Sequence, residues 1–212
     1  MGICGPDTVR GQIAYVLYSN IQARIAVLTA EDRARSWIDP ATMTSLRYHK
    51  HERNPLFSRD EQVELMPDKG VWEGADGTKA PLATNTPMDE LSFIYFLRSI
   101  VTDEPKVLRI ERHFDARRNP VVVHILGSEA IETAIGEMPT TLVEMRVKDV
   151  ERFGGEGVIR FNFSQDPNRI PLRIKTHAPI VGPISLEMMG YSPGMTDPSA
   201  ASVPKIPCPT NR

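Results

Sequence analysis

Alternation with a period of two constrains this chain more than any other feature. Val143, Met145 and Val147 alternate with Glu144, Arg146 and Lys148. Ile159, Phe161 and Phe163 alternate with Arg160 and Asn162, and Leu172, Ile174 and Thr176 with Arg173, Lys175 and His177. Ile184, Leu186 and Met188 alternate with Ser185 and Glu187. Successive side chains of an extended strand point to opposite faces, so each segment has one buried and one wet side. That pattern belongs to antiparallel sheets, because parallel strands are usually covered on both faces. Turn residues separate the runs: Asp39-Pro40, Pro67-Asp68-Lys69-Gly70, Asp76-Gly77, Asn119-Pro120, Ile135-Gly136 and Asp166-Pro167-Asn168. Most of the 18 prolines are accounted for as punctuation of this kind.

One segment departs from the pattern. Thr86-Pro87-Met88-Asp89-Glu90 reads as a helix N-cap, a first-turn proline and acids placed favourably for the helix dipole. Leu91, Ile94, Tyr95 and Arg98 follow at helical spacing, with Phe93, Phe96 and Leu97 widening the apolar face. The spacing predicts a helix over residues 87–100, packed against the sheet. Residues 192–212 hold five prolines with little to bury, and read as an extended tail. The expected organisation is therefore an N-terminal arm over residues 1–11, an all-β domain over 12–191 and a Pro-rich tail over 192–212. The fold class is a curved antiparallel sheet or open β-barrel with one packed helix.

Composition narrows the function classes. The 25 basic residues are balanced by 27 acidic ones among 212, which argues against a nucleic-acid binder that must neutralise phosphates. The stretch Ile13–Leu28 contains Ser19, Asn20, Gln22 and Arg24, too polar for a membrane span or a signal peptide. The 2 cysteines, Cys4 and Cys208, stand near opposite ends. They are either a disulfide tying the ends together or two free thiols.

Each candidate for chemistry has a plainer explanation. His49 and His51 share a strand face with Arg47, but two imidazoles without a third ligand read as a solvated face rather than a metal site. Gly154-Gly155-Glu156-Gly157 lies between strands, so it reads as a hairpin turn and not a phosphate cradle. Asp89-Glu90 serve as helix-capping acids, and Asp103-Glu104 lie in a loop before Pro105. Arg109, Arg112, His113, Arg117 and Arg118 flank Phe114, but Glu111 and Asp115 interrupt them, as at a solvated hairpin end. Met88, Phe93, Tyr95 and Phe96 form a candidate apolar pocket, the alternative being ordinary core. No catalytic, cofactor-binding or metal-binding residue is assigned.

Asp32–Pro40 with Leu46-Arg47-Tyr48, Pro87–Arg98, Gly127–Glu137 and Ser164–Arg173 together resemble the bacterial domain of unknown function 3108, a family of envelope proteins. The resemblance spans about residues 10–192 and implies a secreted, mostly antiparallel sheet with one helix, without a known activity. Family members begin with a signal peptide and a further strand pair, both of which this sequence lacks. That implies an open sheet edge near residues 12–22. The expectation is a non-catalytic periplasmic protein, an accessory or scaffold subunit that binds a protein partner through its sheet edge and tail. The alternative is a carrier of a lipid or other apolar ligand held between sheet and helix.

Overall fold

The computed structural model describes residues 1–25, 28–53, 58–134, 136–178, 182–192 and 206–209. The chain is all-β and antiparallel with one substantial helix, and its strands fall into two sheets rather than one continuous sheet. The two sheets belong to two compact units, residues 1–93 with the C-terminal segment, and residues 94–192.

The first unit holds seven strands: β1 Gly2–Val9, β2 Gln12–Ile25, β3 Leu28–Asp39, β4 Thr44–Arg53, β5 Ser58–Met66, β6 Val71–Gly74 and β7 Lys79–Pro81. They pair in chain order as an antiparallel meander. This corrects the expected arm over residues 1–11 and the expected open edge near 12–22. Gly2–Val9 is a strand, and it covers β2 through pairs such as Cys4↔Val16 and Thr8↔Ile13. The edge therefore lies on β1.

Alternation sorts the sides of this sheet. Leu17, Ser36, Tyr48 and Val63 are buried on one face, where register places them side by side. Tyr18, Arg35, His49 and Gln62 line up across the other.

The helix α1 spans Glu90–Ile100. It starts three residues later than expected because Asp89, not Thr86, is its N-cap. The Asp89 carboxylate accepts the Leu91 and Ser92 N–H groups, both at 2.9 Å.

The second unit pairs β8 Lys106–Ile110, β9 Val121–Thr133, β10 Gly136–Asp149, β11 Gly155–Ser164, β12 Pro171–Ala178 and β13 Gly182–Glu187, again in chain order. The four alternating runs of the sequence fall on β10 to β13. Val123, Ile125, Val143, Met145, Phe161, Phe163 and Leu172 are buried, with the Phe161 and Phe163 rings stacked at 5.5 Å. The glycine-rich stretch follows a single helical turn, α2 Val150–Phe153, and leads into β11. The connection of β10 to β11 is a hairpin as expected, but α2 and Gly154 make its turn, while Gly155, Glu156 and Gly157 already pair with Asp149, Lys148 and Val147 as part of β11. Among the described residues no helix is long and apolar enough to cross a membrane.

Candidate functional site

The face of the first sheet that carries Tyr18, Arg35, His49 and Gln62 brings several chemically capable side chains together. His49 packs edge-on against Trp37, with ring centroids 4.9 Å apart. Burial lowers the pKa of His49 below the usual imidazole value, and the neighbouring Arg47 and Arg35 push it the same way. A neutral ring against an indole is the result. His51 donates through Nδ1 to Asp60 at 2.7 Å, since a carboxylate can only accept. The two histidines do share a face, but each is engaged separately. Among the described residues no three metal-ligating side chains cluster.

The C-terminal segment lies on this same face. Cys208 is joined to Cys4 by a disulfide, with Cα atoms 5.1 Å apart. Ile206 and Gly5 exchange two backbone hydrogen bonds, of 2.8 and 2.9 Å. Gly5 sits at a bulge in β1 with φ of +116°, a conformation that glycine adopts without strain. Arg35 donates to the Pro209 carbonyl. Beside Pro209 the face opens into a cavity of about 370 Å³, bounded by Tyr18, Arg33, Trp37, His49 and Gln62. Residues 193–205 and 210–212 of the expected tail lie outside the described residues, as does Ile135.

The other face of the first sheet hides a polar cluster. Asp89 is fully buried, and Ser36 donates to its second carboxylate oxygen at 2.5 Å. The Ser45 and Ser92 hydroxyls lie 2.8 Å apart, and both accept the Asp89 N–H. Burial raises the Asp89 pKa to about 6, although the hydrogen bonds from Ser36 and the helix amides oppose that rise. Glu90 turns away to Lys50 at 3.1 Å. These acids therefore build the helix start, and Asp89 does so at a site sequence reasoning treated only as a cap. Ser36 and Ser45 reach it from strands far away in the chain, so only the folded register brings them together with Asp89, whereas Ser92 stands one helical turn on.

The remaining candidates disperse. Met88 and Phe93 are buried, whereas Tyr95 and Phe96 are half-buried and take Arg98 and Arg112 over their rings at 5.7 and 5.1 Å. None of the four lines the cavity described above. The basic stretch is not a uniformly solvated hairpin end. His113 and Phe114 are buried and stacked at 4.7 Å, and Arg118 bonds Asp149 at 3.1 Å, while Arg109 and Arg117 stay exposed. The reason is the turn itself, which folds inward on Asn119: its side chain bonds both the N–H and the C=O of His113. Asp103 holds Arg169 at 2.8 Å and accepts the Thr141 hydroxyl at 2.6 Å, and these two partners lower its pKa.

The edges of the second sheet complete the inventory. Met188 N–H donates inward to Leu172. By strand alternation, Ser185 and Glu187 then turn their N–H and C=O groups outward. Pro183 falls on that outward side too, where its missing donor breaks no ladder bond. No described strand lies beyond β13. Just past it, Met189 and Tyr191 are 80% and 48% exposed.

A family model described as "Protein of unknown function (DUF3108)" matches residues 5–189. The chain belongs to that family. The match runs from the bulge of β1 to the end of β13, so it takes in both sheets. The quoted DUF3108 stretches acquire structural meaning: Ser36, Asp89 and Ser92 meet in the buried cluster, and Arg169 closes onto Asp103. Neither a curated protein nor a solved structure matches the chain.

Proposed function

We propose that this DUF3108 protein is a non-catalytic, periplasmic accessory subunit that binds a partner protein by strand addition at the β13 edge. The observation that carries the reading is the outward backbone of Ser185 and Glu187, continued by exposed Met189 and Tyr191. An uncovered edge is a template for another chain's strand, and apolar side chains beside it supply burial that backbone bonds alone do not. The Cys4–Cys208 disulfide supports an oxidising compartment, since such bonds persist outside the reducing cytoplasm. The edge meant here replaces the one expected near residues 12–22, which β1 covers.

Ser185→Pro removes one outward N–H and no inward one. Crosslinking in the native envelope should recover a specific partner with the unaltered chain and lose it with Ser185→Pro, while the unfolding midpoint is unchanged. Equal recovery with both chains refutes edge pairing. Stoichiometric lipid in extracts of the purified protein would favour a carrier instead.

A further inference from the structure

The segment Ile206–Pro209 sits on the first unit as a bound peptide would. Its Ile206 makes one rung of an antiparallel ladder with Gly5, at the exposed edge of β1. Ile206 and Cys208, two apart and so on one side of an extended chain, pack against the cluster of Cys4, Val16 and Trp37. Pro207 and Pro209, the alternate residues, are exposed. Prolines hold a chain extended before it docks, which reduces the ordering entropy of binding. Arg35 adds a charged donor to the Pro209 carbonyl. The cavity continues past Pro209 over Arg33, His51 and Asp60, so the groove is longer than the four described residues in it.

We propose that this face of the first sheet is a binding site for an extended, proline-containing peptide with apolar residues at alternate positions. The chain's own Ile206–Pro209 is its resident occupant, and the disulfide retains it. A dithiol opens the retainer. Its thiolate attacks the half-buried Cys208 sulfur, not that of the fully buried Cys4, and Cys4 leaves as a thiolate. The second thiol of the reagent then resolves the mixed disulfide. The protein gains two electrons and two protons, and the dithiol becomes a disulfide. The segment can then exchange for a partner's peptide. This site belongs to the first unit and does not depend on the β13 edge, which belongs to the second.

Removing the disulfide alone leaves the segment tethered at an effective concentration of roughly millimolar order, so it must also be disfavoured. The full chain carrying Ile206→Asp and Cys208→Ser provides that. The probe is a labelled synthetic peptide of residues 205–210 with serine in place of the cysteine, followed by fluorescence anisotropy. The altered chain should bind the probe at least tenfold tighter than the oxidised unaltered chain. A probe with aspartate in place of its isoleucine should bind at least tenfold weaker. Equal affinity of the two chains, equal affinity of the two probes, or no binding to the altered chain overturns the proposal. A second measurement uses the unaltered chain. After reduction and removal of the dithiol, excess probe should slow re-formation of the Cys4–Cys208 bond several-fold, and an unchanged rate overturns the proposal. Ser185→Pro should leave both readouts as they are.

Discussion

Asp89→Asn tests the buried cluster at the start of α1. Asp89 is 0% exposed, and burial lifts its pKa from 3.8 to about 6. The folded state therefore holds the proton more tightly than the unfolded chain. The stabilising contribution of that proton is fully present below pH 3.8 and is lost as pH rises through 6. A shift of about two units corresponds to about 3 kcal/mol in all, most of it falling between pH 4 and 7. Asparagine keeps an oxygen to cap the Leu91 and Ser92 amides, and Ser36 can turn its lone pair to the new amide group. It cannot ionise. Urea unfolding from pH 4 to 7, followed by tryptophan fluorescence, isolates the effect, because both tryptophans, Trp37 and Trp72, belong to the first unit. The stability of the parent minus that of the variant should fall by about 2–3 kcal/mol across that range. Parallel curves would mean that Asp89 titrates normally and that the burial argument is wrong.

Three further outcomes are expected. Reducing the disulfide should lower first-unit stability by at most about 5 kcal/mol on the chain-entropy model, read as a lower urea midpoint of tryptophan emission; an unchanged midpoint would mean that the cross-link does not restrict the unfolded chain. Gly5→Ala should cost about 1–2 kcal/mol by the same assay, because its φ of +116° opposes a side chain. Asp103→Asn should cost less than about 1 kcal/mol by circular dichroism melting, and less still in high salt, because Asp103 is half exposed and its pairing with Arg169 is screened.

Strand positions were legible where one face is wet. The runs around Val143, Phe161, Ile174 and Leu186 alternate because their exposed faces carry charge, and each lies in a strand of the second sheet. Gly2–Val9 was illegible for the opposite reason. Gly-Ile-Cys-Gly-Pro-Asp-Thr-Val has no alternation, contains a proline, and becomes a strand through pairing with β2. The division into two sheets likewise has no local signature, since it depends on which strands pair. The helix was visible from its apolar spacing, but its start was misplaced: Thr86-Pro87 and Asp89 both satisfy capping chemistry, and only the contacts of Asp89 with Ser36 and Ser45 decide between them. The groove has no local signature in the sequence, because its walls come from four neighbouring strands. His49 stands near His51 in the sequence, but its partner Trp37 lies twelve positions earlier and is brought beside it by register.

The bond between Cys4 and Cys208 also makes a covalent ring of nearly the whole chain. Tension applied to the segments that flank the ring would load the outermost rungs, Gly2↔Tyr18 and Ile3↔Leu17, and then pass from one sulfur to the other, bypassing the second sheet and the rest of the first. The rungs inside the ring would carry none of that load. A proteolytic cut at any exposed turn inside the ring would open it, yet leave the two fragments joined as one molecule until a reductant reached the disulfide.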